Sequence, residues 1–144
     1  MTKQERLDLA NRLIQEIAKR GRRFFKNYRS DFVAYFYLDS RKRVWFVDCD
    51  SRKKIYTHYS LGWQQFTQGG TLERLTKRIA RYIQTGEQNL DIRWLGYTPK
   101  EWHGWGYPDD DLPPIWEAAR PMFSPEAIAQ LDAYLEKTSN GGRS

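Results

Sequence analysis

One short stretch of the chain combines residue types that can carry out nucleophilic chemistry. Asp48-Cys49-Asp50 places a thiol between two carboxylates, and His58 follows shortly after it. A thiol nucleophile needs a base within reach and a third group that orients that base. Asp50, however, stands where a residue is expected to open a turn, and cysteine is a small residue that is often buried. The support for a Cys-His-Asp site is therefore weak, and we expect a protein that is not an enzyme.

The acidic run Asp109-Asp110-Asp111 is the clearest candidate for a cation site. Oxygen cages draw their ligands from spaced positions, and the spacing of a calcium-binding loop is absent here. Gly69-Gly70 precedes a predicted helix, whose N-terminal amides can hold an anion. The lysine of a P-loop and the spacing of a dinucleotide fingerprint are both missing. The sequence thus predicts neither a metal site nor a cofactor.

Basic residues interleaved with aromatic residues favour nucleic-acid binding instead. Cations neutralise phosphates, and aromatic rings stack on bases. This pattern occurs over residues 22–29 around Phe24, Phe25 and Tyr28, although Phe24 and Phe25 could equally fill the core. A second group of cations falls on one side of a predicted helix, opposite an apolar stripe. The predicted nucleic-acid-binding residues are Arg22, Arg23, Lys26, Arg29, Arg74, Lys77, Arg78 and Arg81.

The charge distribution divides the chain into two parts. The 144 residues carry 24 Lys and Arg against 18 Asp and Glu, a formal net charge of +6. Residues 1–90 hold 19 basic and 9 acidic side chains, whereas residues 91–144 hold 5 basic and 9 acidic ones. A basic part suits an anionic partner such as DNA or RNA. The alternative is that both parts are simply solvated.

The C-terminal part is rich in tryptophan and acidic residues, and it supports a second hypothesis. Trp and Tyr often dominate the binding energy at protein interfaces, although they could also close the core here. In this hypothesis the chain is an inhibitor or accessory factor that binds a host protein complex. Its contact residues would be Trp102, Trp105, Tyr107, Asp109, Asp110 and Asp111.

Aromatic and β-branched segments predict a tight antiparallel meander. The breaks between its strands are near repeats, Asp39-Ser40-Arg41-Lys42-Arg43 and Asp50-Ser51-Arg52-Lys53-Lys54, in which Asp39 and Asp50 are the expected turn openers. Successive turns of a meander lie at opposite ends of the sheet, about 20 Å apart, so the two basic tips form no single patch. They could contact two separated phosphate groups, but we expect them to keep the sheet ends soluble. The predicted strands are 31–38, 43–49 and 54–59, with a further short strand near 23–28.

Helices are predicted on both sides of this meander. The first spans 3–20 and begins at a capping box formed by Thr2 and Glu5. The second is capped by Thr71 and ends near residue 85, before Gly86. The elements expected beyond it are a strand at 91–96, a helix after Pro114, a last helix at 125–137 and a frayed tail from residue 140.

Together these elements predict a single α+β domain over residues 1–138. Its αβββα core spans 1–88 and has three or four antiparallel strands; a helical extension spans 89–138, and 139–144 form a disordered tail. Two helices can cover only one face of the sheet, so we expect tryptophans of the extension to cover the other. No apolar run is long enough to span a membrane and the N-terminus lacks a secretory signal, so a cytoplasmic location is expected. The covering residues would be Trp94, Trp102, Trp105 and Trp116.

The order helix, three strands, helix over residues 3–85 resembles that of double-stranded RNA-binding domains. In that family the second helix and a hairpin loop contact the duplex. Gly69-Gly70-Thr71 followed by Arg74 and Lys77 is similar to its basic second helix, but Leu72-Glu73 replaces the paired lysines of that family. The resemblance implies a fold, and nucleic-acid binding only by analogy.

A second resemblance is carried by short segments spread over residues 21–107. The segments are Gly21-Arg22-Arg23, Arg43-Val44-Trp45-Phe46-Val47-Asp48, Ile55-Tyr56-Thr57-His58-Tyr59, Gly69-Gly70-Thr71-Leu72, Tyr82-Ile83-Gln84-Thr85-Gly86 and Trp105-Gly106-Tyr107. They resemble an uncharacterised family of short proteins found on plasmids, phages and integrative elements. This resemblance implies a protein that a mobile genetic element uses against, or alongside, host machinery, including host defence.

Overall fold

The computed structural model describes residues 1–20, 23–95 and 112–141, with the backbone alone for 137–141. The chain forms three antiparallel strands, with helices before and after them in the sequence, so the α+β prediction is confirmed. Short 3-10 helices connect several of these elements. The helices and strands are α1 (Lys3–Ala18), β1 (Tyr35–Leu38), β2 (Val44–Val47), β3 (Lys54–Tyr56), α2 (Gly70–Thr85), α3 (Leu112–Ala119) and α4 (Pro125–Gly141).

Helix α1 begins at the predicted capping box, and one asparagine joins it to β1 by two hydrogen bonds. The Thr2 hydroxyl accepts a hydrogen bond from the Glu5 backbone N–H, and the Glu5 carboxylate accepts one from Thr2. Further along the helix, the Asn11 side chain bonds both the N–H and the C=O of Phe36 in β1. Because β1 is an edge strand, these two bonds satisfy backbone groups that would otherwise lack a partner.

The sheet has the order β1-β2-β3, and its two faces differ in composition. Phe36, Phe46 and Ile55 are paired across the three strands and point towards the helices, where all three are buried. Since successive side chains of a strand point to opposite faces, Tyr37, Trp45 and Tyr56 form the corresponding row on the outer face. Helices α1 and α2 contact each other and the sheet, so they cover the inner face.

The two hairpin turns are opened by Asp39 and Asp48, so the predicted role of Asp50 is wrong. The Asp39 carboxylate accepts from the backbone of Arg41 and Arg43, as expected. In the second turn the carboxylate that accepts from the backbone N–H groups of Asp50 and Ser51 belongs to Asp48. The second turn is therefore the longer one, and the sequence repeat does not correspond to a structural repeat.

The predicted strand near residues 23–28 is wrong, since this segment forms a loop with a single bridge between Lys26 and Val33. Phe25 adopts a left-handed backbone conformation with a φ of 66°, which is rare for a bulky residue and incompatible with a strand. Its backbone N–H donates to the Gln68 side chain, its C=O accepts from Ala34, and its ring is buried against Phe46. These contacts fix the loop.

Helix α2 starts earlier than predicted and ends where predicted. Its N-cap is Gly69, which has a φ of 89°, and Thr71 is already helical. A glycine at this position accommodates a backbone conformation that side chains disfavour. Gly86 ends the helix in the left-handed conformation with its N–H bonded to Tyr82, as expected.

The C-terminal part differs most from the predictions. Residues Ile92–Leu95 form a 3-10 helix and not a strand, and Asp91 stabilises its start by accepting from the Arg93 N–H. Helix α3 begins at Leu112 and not after Pro114, because prolines are tolerated in a first turn that needs no N–H bonds. Helix α4 continues past residue 137 to Gly141, and residues 142–144 lie outside the described part.

The tryptophans of this part that the structure describes do not cover the outer face of the sheet. Trp116 is buried and donates from its indole N–H to the Leu95 carbonyl. Helix α3, which carries Trp116, contacts α1 on the helical side of the sheet. Trp94 lies beside α2, and Trp102 and Trp105 lie outside the described residues. The residues that α3 buries, such as Ile115, belong to the same hydrophobic core as those of α1.

Candidate nucleic-acid interface

Four cations line the exposed side of α2, and we call them the basic helix face: Arg74, Lys77, Arg78 and Arg81. The opposite side of the helix is buried against α1 and β2, which anchors the helix. The last cation lies seven positions after the first, so the face is about 10 Å long. The structure thus confirms that these four side chains share one exposed surface.

Two of these cations form ion pairs at the surface. Lys77 lies 3.2 Å from Glu73, and Arg81 pairs with Glu87, whose pKa is lowered by the hydrogen bond that Arg81 donates. Exposed pairs of this kind contribute about 0–1 kcal/mol, so a phosphate can compete for these cations. The face still carries more positive than negative charge.

The other two cations are not paired with an acid among the described residues. The Arg78 guanidinium lies 5.3 Å from the centre of the Trp94 ring, a cation–π contact that keeps its positive charge. Arg74 is exposed and has no hydrogen-bond or ion-pair partner within the described ranges. Arg74 and Arg78 are therefore the strongest phosphate-binding candidates on this surface.

The loop that precedes β1 brings a second set of cations next to the start of α2. Gln68 lies two residues before the helix and accepts from the backbone N–H of Phe25, at 2.6 Å. In this loop Arg23 is exposed, Lys26 lies 3.5 Å from Asp31, and Arg29 contacts Tyr28. Arg22, which was also predicted to bind nucleic acid, lies outside the described residues.

A surface pocket of about 300 Å³ opens at this junction. Of the three aromatic residues in the loop, Phe25 is buried and Phe24 packs against the core, whereas Tyr28 is 81% exposed. Phe24 and Phe25 therefore fill the core, which was one of the two roles that the sequence allowed. Tyr28 is the ring that a base can reach. The pocket is lined by Arg23, Phe24, Lys26, Tyr28, Asp31 and Gln68.

The stretch Asp48-Cys49-Asp50 brings its side-chain ligand atoms within 4.8 Å of one another, but Asp48 is committed to structure. The buried Asp48 carboxylate accepts five hydrogen bonds, from Asp50, Ser51 and Thr67. Burial, together with the Asp50 and Asp48 carboxylates, raises the pKa of the Cys49 thiol to about 12. The thiol is therefore protonated at neutral pH, which makes it a poor nucleophile and a poor metal ligand.

The outer face of the sheet was predicted to be covered by tryptophans of the extension, so it was not among the predicted binding surfaces. We call Tyr35, Tyr37, Trp45 and Tyr56 the aromatic sheet face. The Tyr37 and Trp45 rings are nearly parallel with centres 6.3 Å apart, and the Trp45 and Tyr56 rings lie 5.0 Å apart. Tyr35 is 41% exposed and the other three rings are half-buried. Tyr35 and Tyr37 are two residues apart, which places them on one face of a strand. The register of the three strands then sets Trp45 and Tyr56 beside them.

The residues predicted to bind a protein partner cannot be placed. Trp102, Trp105, Tyr107, Asp109, Asp110 and Asp111 all lie outside the described residues. Among the described residues, no helix combines the length and apolar character that crossing a lipid bilayer requires.

A family model named YoqU matches residues 1–122, which include α1, the sheet, α2 and α3. The chain belongs to the YoqU family. The family name is of a phage type. Comparison with curated proteins gives no match. Comparison with solved structures gives none either.

Proposed function

We propose that this YoqU-family protein binds nucleic acid through its basic helix face and the adjoining loop of residues 23–29. The observation that carries the proposal is the exposure of all four α2 cations on one surface, with only surface ion pairs to compete for them. Cations spaced along one helix can neutralise successive phosphates without reading the bases. The expected binding is therefore strong at low salt and largely independent of sequence.

The cellular setting is part of the same proposal. A phage-type family name supports a role in a mobile genetic element, where a small non-enzymatic protein would act on nucleic acid in the cytoplasm. The alternative is an inhibitor that binds host defence machinery through the Trp-rich acidic segment. No observation on the described residues favours that alternative.

Salt dependence of binding tests the proposal. Anisotropy of a labelled 20-base-pair DNA duplex, measured between 50 and 300 mM salt, gives the slope of log K against log salt, about −0.9 per phosphate contact. Arg74→Ala combined with Arg78→Ala should make this slope shallower by about two units, since neither charge is paired with an acid. Binding that ignores salt, or no binding at 50 mM, contradicts the proposal and favours the protein-partner alternative.

A matched control separates this surface from overall charge. Arg12→Ala combined with Lys19→Ala removes the same charge from two exposed positions, one on α1 and one at its C-terminal cap. The control should keep the wild-type slope. If both double variants lower the slope equally, the binding reflects the net charge of the chain and not the basic helix face.

A further inference from the structure

The aromatic sheet face lies between the two basic hairpin turns, at opposite ends of the strands. The turn between β1 and β2 contains Arg41 and Lys42, and the turn between β2 and β3 contains Arg52 and Lys53, all of them exposed. The half-buried Asp39 and the exposed Asp50 are the acids of these turns that reach the surface. The surface is therefore a group of rings with a positive region at each end.

Cations also lie directly over the rings. The Lys54 ammonium is 5.9 Å from the Tyr37 ring centre, and the Arg43 guanidinium is 5.5 Å from that of Tyr56. The Arg52 guanidinium lies 4.5 Å from the ring of Phe32, which is itself next to Tyr35. Of these three cations, Arg43 is paired with Asp39 at 2.7 Å. Arg52 and Lys54 have no acidic partner among the described residues.

We propose that the aromatic sheet face and its two basic turns form a binding platform for single-stranded nucleic acid. Bases stack on aromatic rings whatever their sequence, and cations along the path neutralise the phosphates. A duplex hides its base faces inside the stack, so only a single strand can use the rings. Tyr35 and Trp45 carry no cation over their rings within the described ranges, so they are the rings most available to a base.

This platform is a second surface, distinct from the basic helix face. The inner row of the sheet, with Phe46, faces the helices, and Trp45 points the other way. The exposed side of α2 points away from the sheet that its buried side contacts. The inference rests on the proposed function, because both require nucleic acid as the ligand, but it adds the strandedness of that ligand.

Substitutions at Tyr35 separate stacking from apolar bulk. The probes are a fluorescein-labelled 12-nucleotide oligothymidylate and a 12-base-pair duplex, each at 50 mM salt. Tyr35→Leu should weaken single-strand binding about five-fold or more while changing duplex binding less than two-fold. Tyr35→Phe keeps the ring and should bind like the wild type. Tyr59→Leu alters an exposed ring outside the strands and should also have no effect.

A second variant keeps the test valid if Tyr35→Leu proves unstable. Arg52→Ala combined with Lys54→Ala should make the single-strand salt slope shallower by about 1.4 units, since each single-strand phosphate contact contributes about −0.7.

Fluorescence of 2-aminopurine within the oligonucleotide should change on binding to the wild type and less on binding to Tyr35→Leu, because stacking on a ring alters its emission.

The possible results distinguish the two surfaces. Duplex binding that persists while neither variant affects the single strand overturns the platform and leaves the basic helix face standing. Single-strand binding that depends on Tyr35, together with duplex binding that does not depend on Arg74 and Arg78, supports the platform and overturns the role of the helix. No binding of either probe by the wild type overturns both.

Discussion

The basic helix face and the aromatic sheet face are both candidate binding surfaces, but they are held in place by different means. The cations on α2 need only one helix, because residues three and four apart fall on the same side. The rings on the sheet need three strands in one register and two turns fixed by Asp39 and Asp48. A surface made by one helix tolerates local changes, whereas one made by register depends on the cooperative fold.

The largest expected effect tests that cooperativity through Cys49, the single cysteine of the chain, which is buried two residues past the end of β2. We expect thiol labelling at pH 8 to be slower by about a thousand-fold or more than in denaturant, because access requires opening of the sheet. The rate of reaction with a chromogenic disulfide measures this. Labelling as fast as in the unfolded chain would mean that the end of the sheet opens locally.

The next largest effect concerns Asp48. Asp48→Ala removes an acceptor of five hydrogen bonds and leaves the backbone N–H groups of Asp50, Ser51 and Thr67 without this partner. Each buried donor left unpaired costs about 1–3 kcal/mol, so the free energy of unfolding should fall by about 3 kcal/mol or more. Urea denaturation followed by circular dichroism measures the loss, and Cys49 labelling should accelerate in parallel.

Asp50→Ala provides the matched control, since Asp50 is the neighbouring carboxylate. It is exposed and bonds only side chains, those of Asn27 and Thr67. We expect a loss of about 1 kcal/mol or less. Equal losses in the two variants would contradict the assignment of Asp48 as the residue that holds the second turn.

This pair of aspartates also shows what the sequence could and could not predict. The Asp-Ser-Arg-Lys repeat correctly located both turns, but Asp48 and Asp50 are two residues apart and both suit a turn. Only the pairing of Val47 with Lys54 decides that the turn opens at Asp48. Register is a property of two strands, and no local pattern contains it.

The basic helix face was predictable for the opposite reason. An amphipathic helix is a local pattern, so the spacing of Arg74, Lys77, Arg78 and Arg81 was enough to place them together. The preceding loop was not predictable, because Arg23, Phe25 and Asp31 adopt left-handed backbone conformations without glycine. Such conformations are imposed by tertiary contacts, here the bonds of Phe25 to Gln68 and Ala34.

A smaller effect is expected on stability at low pH, through the Asp39 carboxyl at one end of the aromatic sheet face. Partial desolvation raises the pKa of the Asp39 carboxyl, but hydrogen bonds from Arg41, Arg43 and the Trp45 indole outweigh it and lower the pKa well below its ordinary value. Because the folded pKa is depressed, this contribution to stability is present above about pH 4 and is lost as the pH falls further. The urea midpoint should therefore fall less between pH 4 and pH 2 in Asp39→Asn than in the wild type. An identical decrease in both would show that Asp39 does not hold the Trp45 end of the sheet.

The smallest expected effect is on stability at the basic helix face. Arg74→Ala should leave the free energy of unfolding almost unchanged, because the residue has no described partner and alanine favours a helix. Lys77→Ala and Arg81→Ala each remove one surface ion pair, with Glu73 and Glu87, and should change it by less than about 1 kcal/mol. Arg78→Ala loses an exposed cation–π contact with Trp94 of similar size. Urea denaturation at neutral pH measures all four.

A loss well above 1 kcal/mol in any of the four variants would mean that its cation supports the fold. Weaker nucleic-acid binding by that variant would then report damage to the protein and not a lost phosphate contact.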